Sequence, residues 1–438
     1  MQTNDFSNLP TSWQIKTLGE VCEITMGQSP LGEKVINKKQ NTNSKALEFH
    51  QGKICFTDKF ITESEVVTTD IRKVAQSNSI LLCVRAPVGV INITQRQIAI
   101  GRGLCALNFK DKNSNNDFLY FYLLTLKNYF NEKATGSTFS AINLDTIKNT
   151  KIPLPSLEIQ KRIVARLESA FEKIEKGSAH LQDAKTKLAK YKQSLLKSAF
   201  DGTLTAAASL RESAADEAIH KVDCHDLTSS NLAMTDKENP KLPQGWTIKT
   251  LGEIAQTTSG GTPSRKKLDY WNGNIKWLKS GELNDNYINE VEETITQSGL
   301  ENSSAKIFSK GTLLIALYGA TIGKLGILNL ETSTNQAVCA IMPNKELETK
   351  YLFHFLFSIR NKMIKDAFGG AQSNISQTYL KQIKIPLPPL EIQKQIVKLL
   401  EKHLQHTDKT GEFIESALNK AKQLKQSLLK SAFLGELT

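Results

Sequence analysis

KIPLPSLEIQKRIV, from Lys151 to Val164, returns as KIPLPPLEIQKQIV from Lys384 to Val397. The two copies lie 233 positions apart, and the same displacement carries LPTSWQIKTLGEV (9 to 21) onto LPQGWTIKTLGEI (242 to 254). It also carries QSLLKSAFDGTLT from Gln193 onto QSLLKSAFLGELT from Gln426. A displacement held constant over three separated anchors marks a tandem duplication of one large unit, not a short solenoid repeat. In both copies this stretch passes from Pro-punctuated extended chain into a long run with helical spacing, so its reading sets the architecture.

Beyond the prolines, Leu167, Ile174, Leu181, Leu188 and Leu195 fall every seven residues, with Ile163, Ala170, Gly177, Ala184 and Tyr191 at the complementary heptad positions. That is a coiled-coil seam. Pro155 and Ser156 suit the start of the helix, and Asp201-Gly202 suits its end. In the second copy Ile414, Ala417, Ala421, Leu424 and Leu428 continue the register, although His403, Thr407 and Thr410 weaken its first half. Two helices of about 44 residues would each reach roughly 65 Å at 1.5 Å per residue. The obvious partner for each is the other. Because each leaves its arm from the same place, antiparallel pairing is expected to set the arms at opposite ends of a rod with approximate two-fold symmetry.

Between the anchors the copies diverge. Residues 31 to 80 and 264 to 312 share almost no pattern, although GQSP at Gly27 matches GGTP at Gly260 and Val88-Gly89 resembles Ile322-Gly323. A duplicated frame with unlike interiors points to two domains of one fold with different ligands. SILLCVRAPVGVINI (79 to 93) and GTLLIALYGATIGKLGIL (311 to 328) read as strands joined by tight turns. FLYFYLLTLKNYF (118 to 130) and YLFHFLFSIRNKMI (351 to 364) read as helices on those strands, their aromatics assigned to the core. The expected fold is α+β: α/β arms at 1–155 and 241–388, helices at 156–204 and 389–438, and a polar linker at 205–240.

The 438 residues include 56 Lys plus Arg against 44 Asp plus Glu, a net charge of +12 that favours a polyanionic partner. No apolar run approaches the roughly 20 residues of a spanning helix, and the polar opening MQTNDFSNLPTSW does not read as a signal peptide, so a cytoplasmic protein is expected. Cys22, Cys55, Cys83, Cys105, Cys224 and Cys339 form no CxxC pair and are expected to be reduced, mostly buried thiols. His220, Cys224 and His225 lie together in the linker, where solvated side chains are the better reading than a metal site.

Catalytic signatures are missing. GATIGK at Gly319 has three residues between its glycines and Leu325 after the lysine, which does not make a phosphate loop. GRG at Gly101 lacks the third glycine of a dinucleotide or methyl-donor site, and no Asp-Pro-Pro-Tyr type motif for base amino-methylation occurs. Glu348-Thr349-Lys350 has the spacing of a nuclease metal site without its preceding acid, and reads as a helix start. The basic residues are better placed. Lys38, Lys39, Arg72, Lys73, Arg85, Arg96 and Arg102 in the first arm, and Arg265, Lys266, Lys267, Lys276, Lys279 and Lys324 in the second, lie in or beside turns. They suit DNA phosphates, and Arg85, Arg102, Asn335 and Gln336 suit base edges.

The layout resembles the specificity subunits of type I restriction enzymes over essentially the whole chain. The resemblance rests on the twice-used LPxxWxxKxLGE opening, IPLPxLEIQKxIV hinge and QSLLKSAFxGxLT ending. One departure is Ile159-Gln160 and Ile392-Gln393, where many members carry Glu-Gln. The resemblance implies that each arm is a target recognition domain binding half of a split double-stranded DNA sequence. It implies an antiparallel coiled coil that spaces the arms and docks two modification subunits. Adenine methylation and cleavage would then belong to modification and restriction subunits carrying S-adenosylmethionine, ATP and magnesium, with no cofactor or metal in this chain. A self-contained methyltransferase or nuclease with an unrecognised motif, or a coiled-coil scaffold without DNA function, are the alternatives.

If the helices act as a ruler, one heptad inserted after Leu181 and another after Ile414 should keep the seam in phase and lengthen both by about 10 Å, close to three base pairs. Methylation mapping should then show loss of the original site, with residual modification at a longer spacer. Unchanged spacing would remove the ruler role.

Overall fold

Gln14–Thr17 pairs antiparallel with Lys151–Leu154, so the opening of the first arm lies directly beside its own hinge. Thr247–Thr250 pairs with Lys384–Leu387 in the same register, Thr17 facing Lys151 and Thr250 facing Lys384. The repeated motifs are therefore the two strands of one ladder. A capping box follows each: Thr17 with Glu20, and Thr250 with Glu253, satisfies the first turn of a short helix. The computed structural model describes residues 6, 9–111, 114–136, 140–205, 242–367 and 374–437. The linker residues His220, Cys224 and His225 lie outside them.

The chain divides into two compact units, Met1–Asp183 with Ile414–Thr438, and Ala184–Phe413. This boundary runs through both long helices, so each arm is grouped with half of each helix rather than being set apart at residue 155 or 388.

In the first unit, Cys22–Met26, Leu104–Phe109, Ile80–Cys83 and Ile91–Ile93 form a four-stranded antiparallel sheet in that order. A five-stranded sheet adds Val35–Asn37, Val66–Thr68, Leu47–His50, Ile98–Ile100 and Val74–Ala75, with one parallel pair, Phe49 on Ala99 and His50 on Ile100. The second unit repeats the plan: Thr257–Ser259, Val338–Ile341, Leu313–Ala316 and Leu325–Leu328 follow the same order, extended by Asn286–Ile288. Its second sheet likewise holds a parallel pair, Trp277 on Ser333 and Leu278 on Thr334. The two runs read as strands and turns are hairpins in this frame.

Each run read as one core helix is two. Asn116–Thr125 and Lys127–Lys133 meet at Leu126 (φ −93°, ψ 1°), and Thr349–Ser358 and Arg360–Ala367 meet at Ile359 (φ −97°, ψ 5°). Those backbone angles lie outside the helical well, and the Leu126 N–H turns back to Leu123 O at 3.0 Å. Phe118, Tyr120, Phe121 and Tyr122 are buried, as are Tyr351, Phe353 and Phe355, whereas Phe357 is 37% exposed. Among the described residues no helix is long and apolar enough to cross a membrane. Cys22, Cys83, Cys105 and Cys339 are buried, and Cys55 is half-buried; none of these five is in a disulfide.

The long helices are Leu157–Phe200 and Leu390–Phe433, 44 residues each. Their halves pair antiparallel inside each unit. In the first, Lys425 donates to Glu175 at 2.7 Å; in the second, Lys192 bonds Asp408, the same pair displaced by 233 positions. Leu167, Leu195 and Ile414 are buried and Ile174, Leu181, Leu188, Ala421 and Leu428 half-buried, as a seam requires. Two positions depart from the reading. Thr407 is buried on the seam, its hydroxyl donating to Leu404 O at 2.8 Å, and Leu424 is 50% exposed. A threonine that satisfies its own hydroxyl along the helix fits where an alkyl group was expected. Gly177, Ala184 and Tyr191 are exposed, so the middle of the seam is a single row.

Helix ends finish inside the arms. In the first unit Phe433 makes edge contacts with Phe118 and Tyr122, both centroids 5.1 Å away; in the second Phe200 meets Tyr351 and Phe355 at 5.3 Å. At the other end of each helix sits the hinge glutamine. Buried Gln160 accepts from Asn115 N–H and donates to Pro155 O, both at 2.9 Å; Gln393 accepts from Glu348 N–H and donates to Pro388 O at the same distance. Each amide joins arm, hinge and helix start. Gln160→Ala should destabilise the protein by about 1–3 kcal/mol because it strands the Asn115 N–H and the Pro155 carbonyl. Denaturant unfolding measures this, and a loss below 0.5 kcal/mol, about the size of an ordinary surface change, would contradict it.

Candidate nucleic-acid interface

Three loops of the first unit are bound to one another by their main chains. Gly27 N–H donates to Leu104 O (2.8 Å) and Gln28 N–H to Ile100 O (3.0 Å). Gly101 N–H donates to His50 O (2.8 Å), and Val84 N–H to Gly103 O (3.0 Å). The approach is too close for a side chain: a Cβ on Gly27 would lie 2.1 Å from Gly101 O, and one on Gly103 2.2 Å from Gln51 O. Glycine is required there by space. The result is a cleft of about 170 Å³ into which Arg85 and Arg102 open beside Gln51, Gly52, Lys53 and Pro87. Arg85, Arg102 and Lys53 are exposed and no acidic group pairs with them among the described residues.

The second unit builds the same frame. Gly260 N–H donates to Val338 O (3.2 Å), Gly261 N–H to Thr334 O (2.8 Å), Asn335 N–H to Leu278 O (3.0 Å) and Leu317 N–H to Ala337 O (2.8 Å). A Cβ on Gly260 would again lie 2.1 Å from a carbonyl, that of Thr334. These matched bonds place Asn335 where Gly101 stands and Gln336 where Arg102 stands. Asn335 is half-buried, its Oδ1 enclosed without a partner among the described residues, whereas Gln336 is exposed and its Oε1 accepts from the Thr262 hydroxyl.

The remaining basic residues fall into two groups. Lys38 pairs with Glu63 (2.7 Å), Arg72 with Asp70 (2.6 Å), and Arg96 holds Glu48 through both Nε (2.7 Å) and Nη2 (2.6 Å). Arg265 lies 3.7 Å from the Trp271 ring centre and 2.5 Å from Glu293; Lys279 joins Glu292 and Glu293; Lys267 donates to the Tyr270 hydroxyl. Lys39, Lys73, Lys266, Lys276 and Lys324 are exposed, with no acidic partner among the described residues. Sequence reading missed Lys53, which reaches the cleft only because Leu47–His50 runs parallel beside Ile98–Ile100. Glu348, which has the spacing of a metal ligand in the sequence, caps a helix by accepting from Lys350 N–H. Among the described residues no three His, Cys, Asp or Glu side chains are placed to hold a metal ion.

A family model for the type I restriction modification DNA specificity domain matches residues 10–181 and again 243–419, once per arm. The chain belongs to that family. Such chains are the DNA specificity subunits of type I restriction-modification systems, the component that is itself non-catalytic. Among relatives, the EcoR124I/EcoR124II specificity subunit of Escherichia coli is 29% identical over 35% of this chain, and the MjaIX specificity subunit of Methanocaldococcus jannaschii 31% over 40%. Those two matches span about two fifths of each relative's length, 40% and 42%. The StySPI specificity subunit of Salmonella potsdam is 23% identical over 98% of this chain and 90% of its own. The HsdS subunit from Thermoanaerobacter tengcongensis shares the fold, with a TM-score of 0.59 at 20% identity and full coverage of both chains. A chain from a study of complex assembly and conformational transition of the type I R-M system gives 0.74 at 21% identity, covering 98% and 99%.

Glu48 reports on the sheet beneath the first cleft. Burial raises its carboxyl, but Arg96, the Ser64 N–H and His50 outweigh that and hold it at about 2. A carboxylate depressed below its ordinary 4.5 stabilises the fold above that pH, and the contribution is lost as pH falls through about 2. Glu48→Gln should therefore lower the melting temperature at neutral pH and flatten the decline between pH 4.5 and 2. Parallel melting curves for both proteins across that window would contradict the assignment.

Proposed function

We propose that the chain reads a split double-stranded DNA sequence, each arm contacting one half, and that it does so within a type I restriction-modification complex inside the cell. It docks two modification subunits, which methylate adenine with S-adenosylmethionine, and restriction subunits that use ATP and magnesium; it supplies no reacting group itself. The observation that carries this reading is a single loop frame, hydrogen-bonded alike in both arms, that presents different side chains in each. Exposed cations of the two arms, Lys39, Lys73, Lys266, Lys276 and Lys324, favour phosphate contacts, which position the protein without selecting sequence.

Replacing residues 22–150 with the matching region of another family member tests the division of labour. Mapping methylated bases in cells that carry the hybrid and its modification partners should show one half of the recognised sequence changed and the other retained. A change in both halves, or in neither, would sink the proposal.

A further inference from the structure

We infer that Tyr318 is a specificity-determining residue of the second arm, paired with Gln336, and that the two arms read chemically different bases: guanine in one half-site and an adjoining adenine and thymine in the other. The inference rests on the DNA-reading function proposed above and assigns base chemistry to the matched loop frames of the two arms.

The argument starts from matched main-chain bonds. Val84 N–H donates to Gly103 O as Leu317 N–H donates to Ala337 O. The residues that follow, Arg85 and Tyr318, also match: each makes an isolated antiparallel bridge, to Ala141 and Asn374 respectively. Arg102 and Gln336 match by the bonds described above. The first cleft therefore presents Arg85 and Arg102, with Lys53 beside them, all exposed and without acidic partners among the described residues. Where the first arm continues from His50 to Gln51, the second continues from Leu278 to Lys279, whose ammonium is held by Glu292 (2.8 Å) and Glu293 (3.0 Å). At the matched positions, then, the first arm presents two guanidinium groups and the second a phenol and an amide.

Each pair has its own preference. A guanidinium donates two parallel hydrogen bonds to guanine O6 and N7, which no other base offers. A glutamine amide donates to adenine N7 and accepts from its N6 amino group. The Thr262 hydroxyl already donates to Gln336 Oε1. That bond uses one lone pair, orients the amide, and leaves the second lone pair and both amino hydrogens for a base. Tyr318 is half-buried, its ring packed against the core of its unit, so it offers a fixed apolar face of the kind that recognises the thymine methyl group.

The test uses the full chain assembled with its modification subunits, and a DNA library randomised in both half-sites, bound and sequenced. The expected result is guanine enriched at a position of one half-site and an A·T step at a position of the other. Tyr318→Arg combined with Gln336→Arg should turn that A·T step to guanine, leaving the other half unchanged. Gln336→Ala should lower discrimination for adenine by about tenfold or more, and Tyr318→Phe should keep the thymine preference because the ring is retained. Co-elution with the modification subunits and an unchanged melting temperature check that each variant is folded. Wild-type protein that selects no split sequence would overturn the proposed function itself. Clear wild-type selection with the double variant reading the same bases would overturn only the assignment of Tyr318 and Gln336.

Discussion

Four residue pairs, Gln14 to Thr17 against Leu154 to Lys151, bring the start of the first arm beside the segment that leads into its long helix; the second arm repeats them. With only two strands in each ladder, Pro153 and Pro386 can lie in an edge strand, where a missing N–H is tolerated. Closing the ends of the arm in this way turns everything between them into a loop with fixed feet. Its length and interior can then vary at small entropic cost, since closure entropy grows only with the logarithm of loop size. The divergence between residues 31–80 and 264–312 is compatible with one fold for that reason.

How much of this was legible depended on whether the responsible contacts are periodic or distant. The displacement of 233 exposed the repeated frame, and seven-residue spacing exposed the helices, because both signals are written along the chain. Thr407 misled, since its side chain satisfies itself along the helix, and Leu424 is exposed although its residue type argued for burial. The breaks at Leu126 and Ile359 carry no Pro or Gly to announce them. Cleft membership was the hardest part. Lys53 joins Arg85 and Arg102 through a parallel strand pair, and Glu48 finds Arg96 across 48 residues. Tyr318 was reachable in principle, since it lies 233 positions after Arg85, but the residue types differ and only the bonded frame makes the match meaningful.

Ion pairing also sorts cations that look alike in a sequence. Arg96 is engaged by a carboxylate within a sheet, and Arg265 is held by Glu293 and the Trp271 ring, so recruiting either to DNA means giving up a made interaction. Lys73 or Arg102 gives up only water. Exposure and partner together, rather than charge alone, decide which groups add to affinity.

The glycine-tight loops bear on how such proteins diversify. Their shape is fixed by carbonyl and amide groups that every residue possesses, together with a few positions where only hydrogen fits beyond Cα. Arg85 and Arg102 at the tips are exposed and pair with no acidic group among the described residues, so they take little part in folding. Substitution of an exposed, unpaired tip side chain such as Arg102 costs little stability, so the chemistry presented at the tips can change while the frame that holds them stays folded.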